Sequence, residues 1–405
     1  MTARALDALA GTVTHERRIR AVAAGKGAAG MATAVEARLG PRLVEAVLTA
    51  DAGPDRWRAI AGSHPRPSSA SDAAGRAALA LADATRAEGG LMIVCLSGGA
   101  SAMLAVPAPG LTIEDKAAVT RVLLAAGLDI GEINLVRRHL SAIKGGHLAA
   151  RAGRSLTLAI SDVCTPVEDD PAAIGSGPTV GDDRSFADAI AMLARHGVLT
   201  ELPLAVQRHL EAGAGGRAAG PVRRADVRLR AAAYRVVASR HDAMGAAAAA
   251  ARDLGYETTV RPAPVVGEAR AAGRDLGAFS PSSRPACVIS SGETVVVVRG
   301  GGRGGRNQEL AAAALEPLAA QAPAVLASIG TDGRDGPTDA AGAFVDSAMW
   351  ARLGPDAVAL RDTAIETNDC YPFLDRLGAL IRTGPTGTNV GDLQVLLLGG
   401  RTLAL

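Results

Sequence analysis

The chain has 405 residues, with 43 Lys and Arg against 41 Asp and Glu, a net charge of +2, 48% hydrophobic and only 2% aromatic residues. That length exceeds what one hydrophobic core usually organises, and a mixed, near-neutral charge excludes the clustered basic face of a nucleic-acid binder. Four cysteines with no close pair argue against a zinc site or disulfide framework, and no apolar run reaches the ~18 residues of a membrane span, so a cytoplasmic protein with a small-molecule partner and no membrane is expected.

With so few aromatics, the cores must be built from Ala, Val and Leu, which favours close helix–sheet packing. The recurring unit is a short apolar run, a Gly or Ser/Asp loop, then an alanine-rich amphipathic stretch, predicting strand, loop and helix. In chain order, IRAVAA leads into GKG, LMIVCL into SGGASAM, SLTLAI into SDV, YRVVAS into RHDAMGAAAAAARDLG, and AVLASI into GTDGRDGPT. This alternation predicts an α/β protein with parallel sheet and helices on both faces, its ligands gathered at the carboxyl ends of the strands.

The first loop holds Lys26 between two glycines. Only three lysines occur, Lys26, Lys116 and Lys144, and the first and last lie in glycine turns. A compact ammonium on a flexible stem follows a phosphate or carboxylate oxygen where the rigid arginine fork does not. Lys116, in TIEDKAAVT, reads as an ordinary solvated surface lysine. After LMIVCL, the loop Ser97-Gly98-Gly99 with Ser101 has the small residues and hydroxyls of an anion nest. Candidate carboxylates stand at strand ends: Asp162, Asp332, Asp335 and Asp392. Magnesium needs one or two such groups beside phosphate oxygens and water.

From Glu211 to Arg230 the sequence EAGAGGRAAGPVRRADVRLR loses periodicity, and it is read as the domain boundary, giving domains 1–225 and 226–405; the alternative is a surface excursion within one domain. Farther on, Gly300 to Gly305 satisfies GxGxxG between a valine-rich strand and a helix. Five glycines in six positions would satisfy many patterns, however, and the acid expected about twenty residues on is not clearly placed. Arg306, Asn307 and Gln308 open the next helix, where a guanidinium and two amides suit a charged ligand. The four asparagines, Asn134, Asn307, Asn368 and Asn389, read equally as site residues or as caps and turns.

Taken together, LSGGASAM, INLVRRHLSAIKGGHLA, IGSGPTV, SSGETVVVV with GGRGGRNQEL, IGTDGRDGPTDAAGAFVD and TGPTGTNVGDL resemble, in order and across nearly the whole chain, the class II glycerate kinases, whose C-terminal part is the MOFRL domain and which often carry the label hydroxypyruvate reductase. The resemblance implies a Rossmann-like N-terminal domain, a smaller α/β MOFRL-type C-terminal domain, and transfer of the γ-phosphoryl group of ATP, with Mg²⁺, to the 2-hydroxyl of D-glycerate in a cleft between them. It implies Lys26 and Arg306 as catalytic cations, and Ser97, Gly98, Gly99, Ser101, Asn307 and Asp332 around substrate and phosphate. Lys144, Gly145, Ser161, Asp162, Ser176, Gly177, Thr179, Asn389 and Asp392 are implied on the nucleotide side, with Asp162 also the metal ligand. Three departures stand out. The region before IRAVAA is short, the family's HPxPD reads HPRPSS with Ser68 in place of the acid, and SDVxGD is expanded to SDVCTPVEDD. These leave the acceptor acid open, along with the rival readings of an NAD(P)-dependent hydroxypyruvate reductase and of a catalytically silent ligand-binding relative. A homodimer is among the assemblies open to such a protein.

Overall fold

A computed structural model describes residues 16, 18–281 and 284–399, and the short region ahead of IRAVAA falls on residues 1–15, outside them. The chain divides into two compact units, Met1–Ala238 and Ser239–Leu405.

In the first unit, strands β1 (Ile19–Ala24), β2 (Leu43–Leu48), β3 (Trp57–Ala59), β4 (Leu91–Leu96), β5 (Ser155–Ile160) and β6 (Ala232–Ala238) form one sheet in the order β3-β2-β1-β4-β5-β6. Every pair is parallel. β1, β4 and β5 are buried at every residue, which is why β4 reads as an unbroken apolar run and β1 as one broken only by Arg20: helices cover both faces of such a sheet. Helices α1 (Ala28–Leu39) and α2 (Ser69–Ala87) precede β2 and β4. α3 (Ile113–Ala125), α4 (Ile130–His139) and α5 (His147–Ala152) lie between β4 and β5, and α6 (Phe186–Arg195) and α7 (Leu204–Ala214) between β5 and β6. Reciprocal capping boxes start α2 (Ser68 with Ser71), α3 (Thr112 with Asp115), α4 (Asp129 with Glu132) and α6 (Ser185 with Asp188), so each start is fixed by its own sequence.

The boundary differs from the expected one. β6 pairs with β5 from Ser155–Ala232 onward, so the segment read as opening the second domain completes the first sheet. The glycine- and arginine-rich stretch before it is an excursion on the first unit: Val222 N donates to Gly145 O at 2.9 Å, and Asp182 N to Val222 O at 2.9 Å.

The second unit holds α8 (Arg240–Asp253), β7 (Glu257–Val260), β8 (Val265–Glu268), α9 (Ala269–Ala278), β9 (Ala286–Val295), α10 (Arg306–Ala319), β10 (Ala324–Gly330), β11 (Gly342–Asp346), β12 (Leu380–Ile381) and β13 (Asp392–Leu398). Its sheet runs β12-β11-β10-β13-β9-β7, with β8 also beside β9. This sheet is mixed, where the sequence suggested parallel pairing throughout: β13 is antiparallel to both β9 and β10, and β11 returns antiparallel beside β10. In β10 and β13 buried and half-buried residues alternate, the mark of a sheet more thickly covered on one face. α10 is buried on all sides from Asn307 to Leu315 and packs against α9 through glycine: a Cβ on Gly277 would lie 2.8 Å from Ala314 O. Close backbone approach therefore replaces the aromatic bulk that the composition lacks. Among the described residues no helix is long and apolar enough to cross a membrane.

Candidate active site

In the first sheet the strand order reverses between β1 and β4, and a doubly wound sheet binds ligands outside the carboxyl ends of the strands flanking such a switch point. β1 ends in Gly25-Lys26-Gly27 and β4 in Ser97-Gly98-Gly99. The loops are stitched together: Lys26 N donates to Gly98 O at 2.9 Å, Ser97 N to Ala24 O at 3.0 Å, and Gly27 N to Ser97 Oγ at 2.9 Å. Gly25 has φ +109°, and a Cβ there would lie 2.5 Å from Ser97 O and 2.8 Å from Gly98 O, so only glycine permits this approach. The stitching fixes the backbone around Lys26, whose side chain is exposed. Ser97, expected to line the nest, is instead fully buried, its hydroxyl holding the two loops together. Gly99, at φ +86°, lies against His64 of the HPRPSS loop. Ser68, standing in that loop where the family carries an acid, caps α2 with its uncharged side chain.

Behind this crevice lies a buried polar chain. Ser101 Oγ and Ser176 Oγ are 2.7 Å apart, and Ser176 Oγ donates to Asn134 Oδ1 at 2.7 Å. Lys144 is fully buried, its Nζ donating to Ser101 O at 2.7 Å and Leu104 O at 3.2 Å, while Gly145 N donates to Ser176 O at 3.3 Å. Burial, then the neighbouring Lys116, Arg137 and Arg138, pushes the Lys144 ammonium well below its usual pKa. Lys116 overturns its surface reading. It too is buried, and its Nζ donates to Leu140 O at 2.9 Å, a long-range partner that the local helix pattern does not show. Thr179, expected on the nucleotide side, is buried and shares a 2.7 Å hydrogen bond with Thr157. Arg138 pairs with Asp182 and donates to Ser176 O at 3.3 Å, anchoring α4 to the turn of Ser176 and Gly177.

At the end of β5, Ser161 Oγ accepts from Val163 N at 3.3 Å, and Asp162 is half-buried. In the expanded loop that follows, Asp170 is occupied as a turn former, accepting from Ala172 N at 2.9 Å. Among the described residues no group of three or more His, Cys, Asp or Glu side chains converges as a metal cage. A lone carboxylate such as Asp162 fits magnesium, which keeps several waters and takes phosphate oxygens from substrate, and does not fit a cation needing an all-protein cage.

The second unit gathers its own polar cluster at the start of α10. Arg306 Nε and Nη2 donate to the two carboxylate oxygens of Asp392 at 2.6 and 2.9 Å, and Nη1 lies 3.1 Å from Glu293. Burial opposes the charge on Arg306, but Asp392 and then Glu293 outweigh it and hold the pKa above its usual value. Asp335 caps the helix, accepting from Asn307 N at 3.0 Å and Gln308 N at 2.9 Å; burial, against these two bonds, pushes its pKa up to about 6. Ser328 Oγ donates to Asn307 Oδ1 at 2.6 Å. The loop of Asp332 joins that of Asn389 through Thr331, whose Oγ1 donates to Gly391 O at 2.6 Å and accepts from Val390 N at 2.9 Å. Asn368 is a loop residue: its Oδ1 accepts from Arg299 N at 2.7 Å and Gly300 N at 2.9 Å.

The glycine run is filled by its own chain. A Cβ on Gly300 would lie 2.6 Å from Thr367 Cα, on Gly302 2.6 Å from Thr367 O, and on Gly305 2.5 Å from Asp335 Oδ1. These glycines admit neighbouring protein backbone and side chains, whereas the dinucleotide fingerprint uses its glycines to admit a pyrophosphate.

Residues 2–211 match the family model described as a domain of unknown function (DUF4147), and residues 286–392 match that of the MOFRL family. The chain is 34% identical to a glycerate 2-kinase of Pyrococcus horikoshii, over 94% of this chain and 87% of that one. It is 37% identical to a putative hydroxypyruvate reductase of Agrobacterium vitis, over 93% and 86% of the two chains. The crystal structure of a glycerate kinase from Thermotoga maritima superposes with a TM-score of 0.82 at 33% identity, covering 98% of this chain and 95% of that one.

Proposed function

The chain belongs to the glycerate kinase family that joins a DUF4147 domain to a MOFRL domain, and from that premise we propose that it transfers the γ-phosphoryl group of ATP to the 2-hydroxyl of D-glycerate or a closely related small hydroxy acid. The observation that carries the reading is the stitched pair of switch-point loops that holds Lys26 exposed beside Gly98 and Gly99.

Phosphoryl transfer asks for positioning and charge neutralisation more than covalent chemistry. In this reading the Lys26 ammonium meets the acid's carboxylate or the moving phosphoryl group, and the backbone around Gly98 and Gly99 seats an oxyanion. Arg306, aligned by Asp392, presents a fixed guanidinium to developing charge, with Asn307, Asp332 and Asn389 beside it. Lys144, Gly145 and Gly177 line the nucleotide side, Ser176 and Thr179 supporting it from within. Asp162 is the carboxylate assigned to Mg²⁺, which would supply charge neutralisation on the phosphates.

The test is ADP release from ATP and Mg²⁺ over a panel of D-glycerate, tartronate-like and four-carbon hydroxy acids, with phosphorus NMR to locate the new ester. Turnover with a 2-phospho product supports the reading, and no ADP release with any acceptor overturns it. The Agrobacterium relative's name favours hydroxypyruvate reduction as the second reading. The filled glycine run counts against it, and the near-ultraviolet absorbance of a reduced nicotinamide cofactor with hydroxypyruvate decides the matter.

A further inference from the structure

Beside the HPRPSS loop a recess is lined by Pro65, Pro67, Ser101, Lys116, Arg137 and Lys144. Three cationic side chains from separate elements thus reach one small space: Lys116 from α3, Arg137 from α4, and Lys144 from the turn before α5. Lys116 is 6% and Lys144 1% exposed, and Arg137 is half-buried. Among the described residues none of the three has a carboxylate partner. Lys116 donates to one backbone carbonyl, Lys144 to two, and Arg137 makes no hydrogen bond or ion pair among the described residues. Arg138, next along α4, has Asp182 as its own counter-ion.

Buried cations without counter-charge are costly, and folded proteins pair them or strip their protons. Here burial, followed by the charge of Arg137, pushes Lys116 down to about 7, and burial, followed by the charge of Lys116, pushes Lys144 well below its usual value. Ammonium caps on the helix-end carbonyls of Leu140 and Leu104 explain part of the arrangement. They do not explain Arg137, which caps nothing and yet converges on the same space.

We infer that this recess is a binding site for a small oxyanion, a carboxylate or phosphate group, held by Lys116, Arg137 and Lys144 together. Three donors from three elements match an anion with several oxygens, and entry of the anion removes the mutual repulsion of the cations. Lys144 is shared with the nucleotide side of the proposed kinase site, whereas Lys116 and Arg137 have no role there, and anion binding is measurable without turnover, so failure of one reading is distinguishable from failure of the other.

The experiment is calorimetric titration of the full chain with inorganic phosphate at pH 7.5, in two buffers of different ionisation enthalpy. Saturable binding with proton uptake is expected, because the anion restores the charge on Lys116. Arg137→Gln, which leaves both lysine caps in place, should weaken phosphate at least about tenfold with an unchanged melting temperature; Lys116→Met should weaken it and reduce the proton uptake. Competition by D-glycerate marks the anion as the acid's carboxylate, and competition by ATP marks it as a nucleotide phosphate. Absence of saturable phosphate binding, or binding that Arg137→Gln leaves unchanged, overturns the inference and makes the lysines structural caps only.

Discussion

Arg306 grips both carboxylate oxygens of Asp392, at 2.6 and 2.9 Å, and Asp392 is 1% exposed. A buried carboxylate at the start of β13 thereby fixes the fork of an arginine that opens α10. Asp392→Asn keeps the shape, removes the charge, and replaces one acceptor oxygen with a donor facing the guanidinium. Expected outcomes are a fall in turnover of about ten- to a hundredfold and a loss of about 1–3 kcal/mol of stability. Kinetics on the acceptor panel and urea unfolding check the two. Wild-type turnover would remove Asp392 from the reaction and leave it a fold residue.

Lys26 separates chemistry from stability more cleanly, since its side chain is exposed and its backbone N–H joins the two loops. Lys26→Arg should lower turnover about a hundredfold or more, the scale of losing one transition-state charge contact, and should leave the melting temperature within error. A variant within a few-fold of the parent would make Lys26 an ordinary turn residue.

Gly25→Ala strikes the same crevice from beneath. Its φ of +109° and the proximity of Ser97 and Gly98 leave no room for a methyl group, so β1 and β4 must shift apart at their ends. A destabilisation of about 1–3 kcal/mol is expected, with loss of turnover exceeding that of a neutral surface variant. Chemical unfolding beside the kinase assay measures both, and an alanine variant of full stability would show that the loops can part freely.

The strand–loop–helix repeat and the ordered motifs made the first sheet and the switch-point loops legible, because each rests on local pattern: buried apolar runs, glycine turns and capping boxes. What local pattern does not carry is the partner of a side chain. Lys116 looked solvated because TIEDKAAVT fits an exposed helix, while its acceptor, Leu140 O, lies at the C-terminal end of α4, 24 residues on. Ser97 looked like a ligand residue because a hydroxyl at a strand end suits an anion, while its actual partner is Gly27 N in the loop it braces. YRVVAS followed a stretch resembling a linker, and only the pairing of β6 with β5 assigns it to the first unit. In the second unit the strand–helix alternation holds only in part, since β7 and β8, β10 and β11, and β12 and β13 follow one another with no helix between them, and strand direction follows from which neighbour a strand finds.

Burial of Lys116 makes stability depend on pH in a calculable direction. Its ammonium titrates near 10.4 in an unfolded chain and at about 7 in the folded protein, through burial and then the charge of Arg137. Between those values the unfolded chain holds a proton that the folded one has released, so folding stability rises with pH across the window. The contribution is complete above the unfolded value and is lost as pH falls through about 7, where the folded state must carry a buried charge. Lys116→Met has similar volume and no titration, so wild-type stability should gain on it from pH 7 to pH 9.5 in urea unfolding. Shifts of the other buried groups, Lys144 included, act in the same direction in both proteins and largely cancel in the difference. Saturating phosphate should flatten the difference, since an oxyanion in the recess keeps Lys116 protonated. Parallel pH curves for the two proteins without phosphate would mean that Lys116 keeps its charge in the fold with a solvent-like pKa.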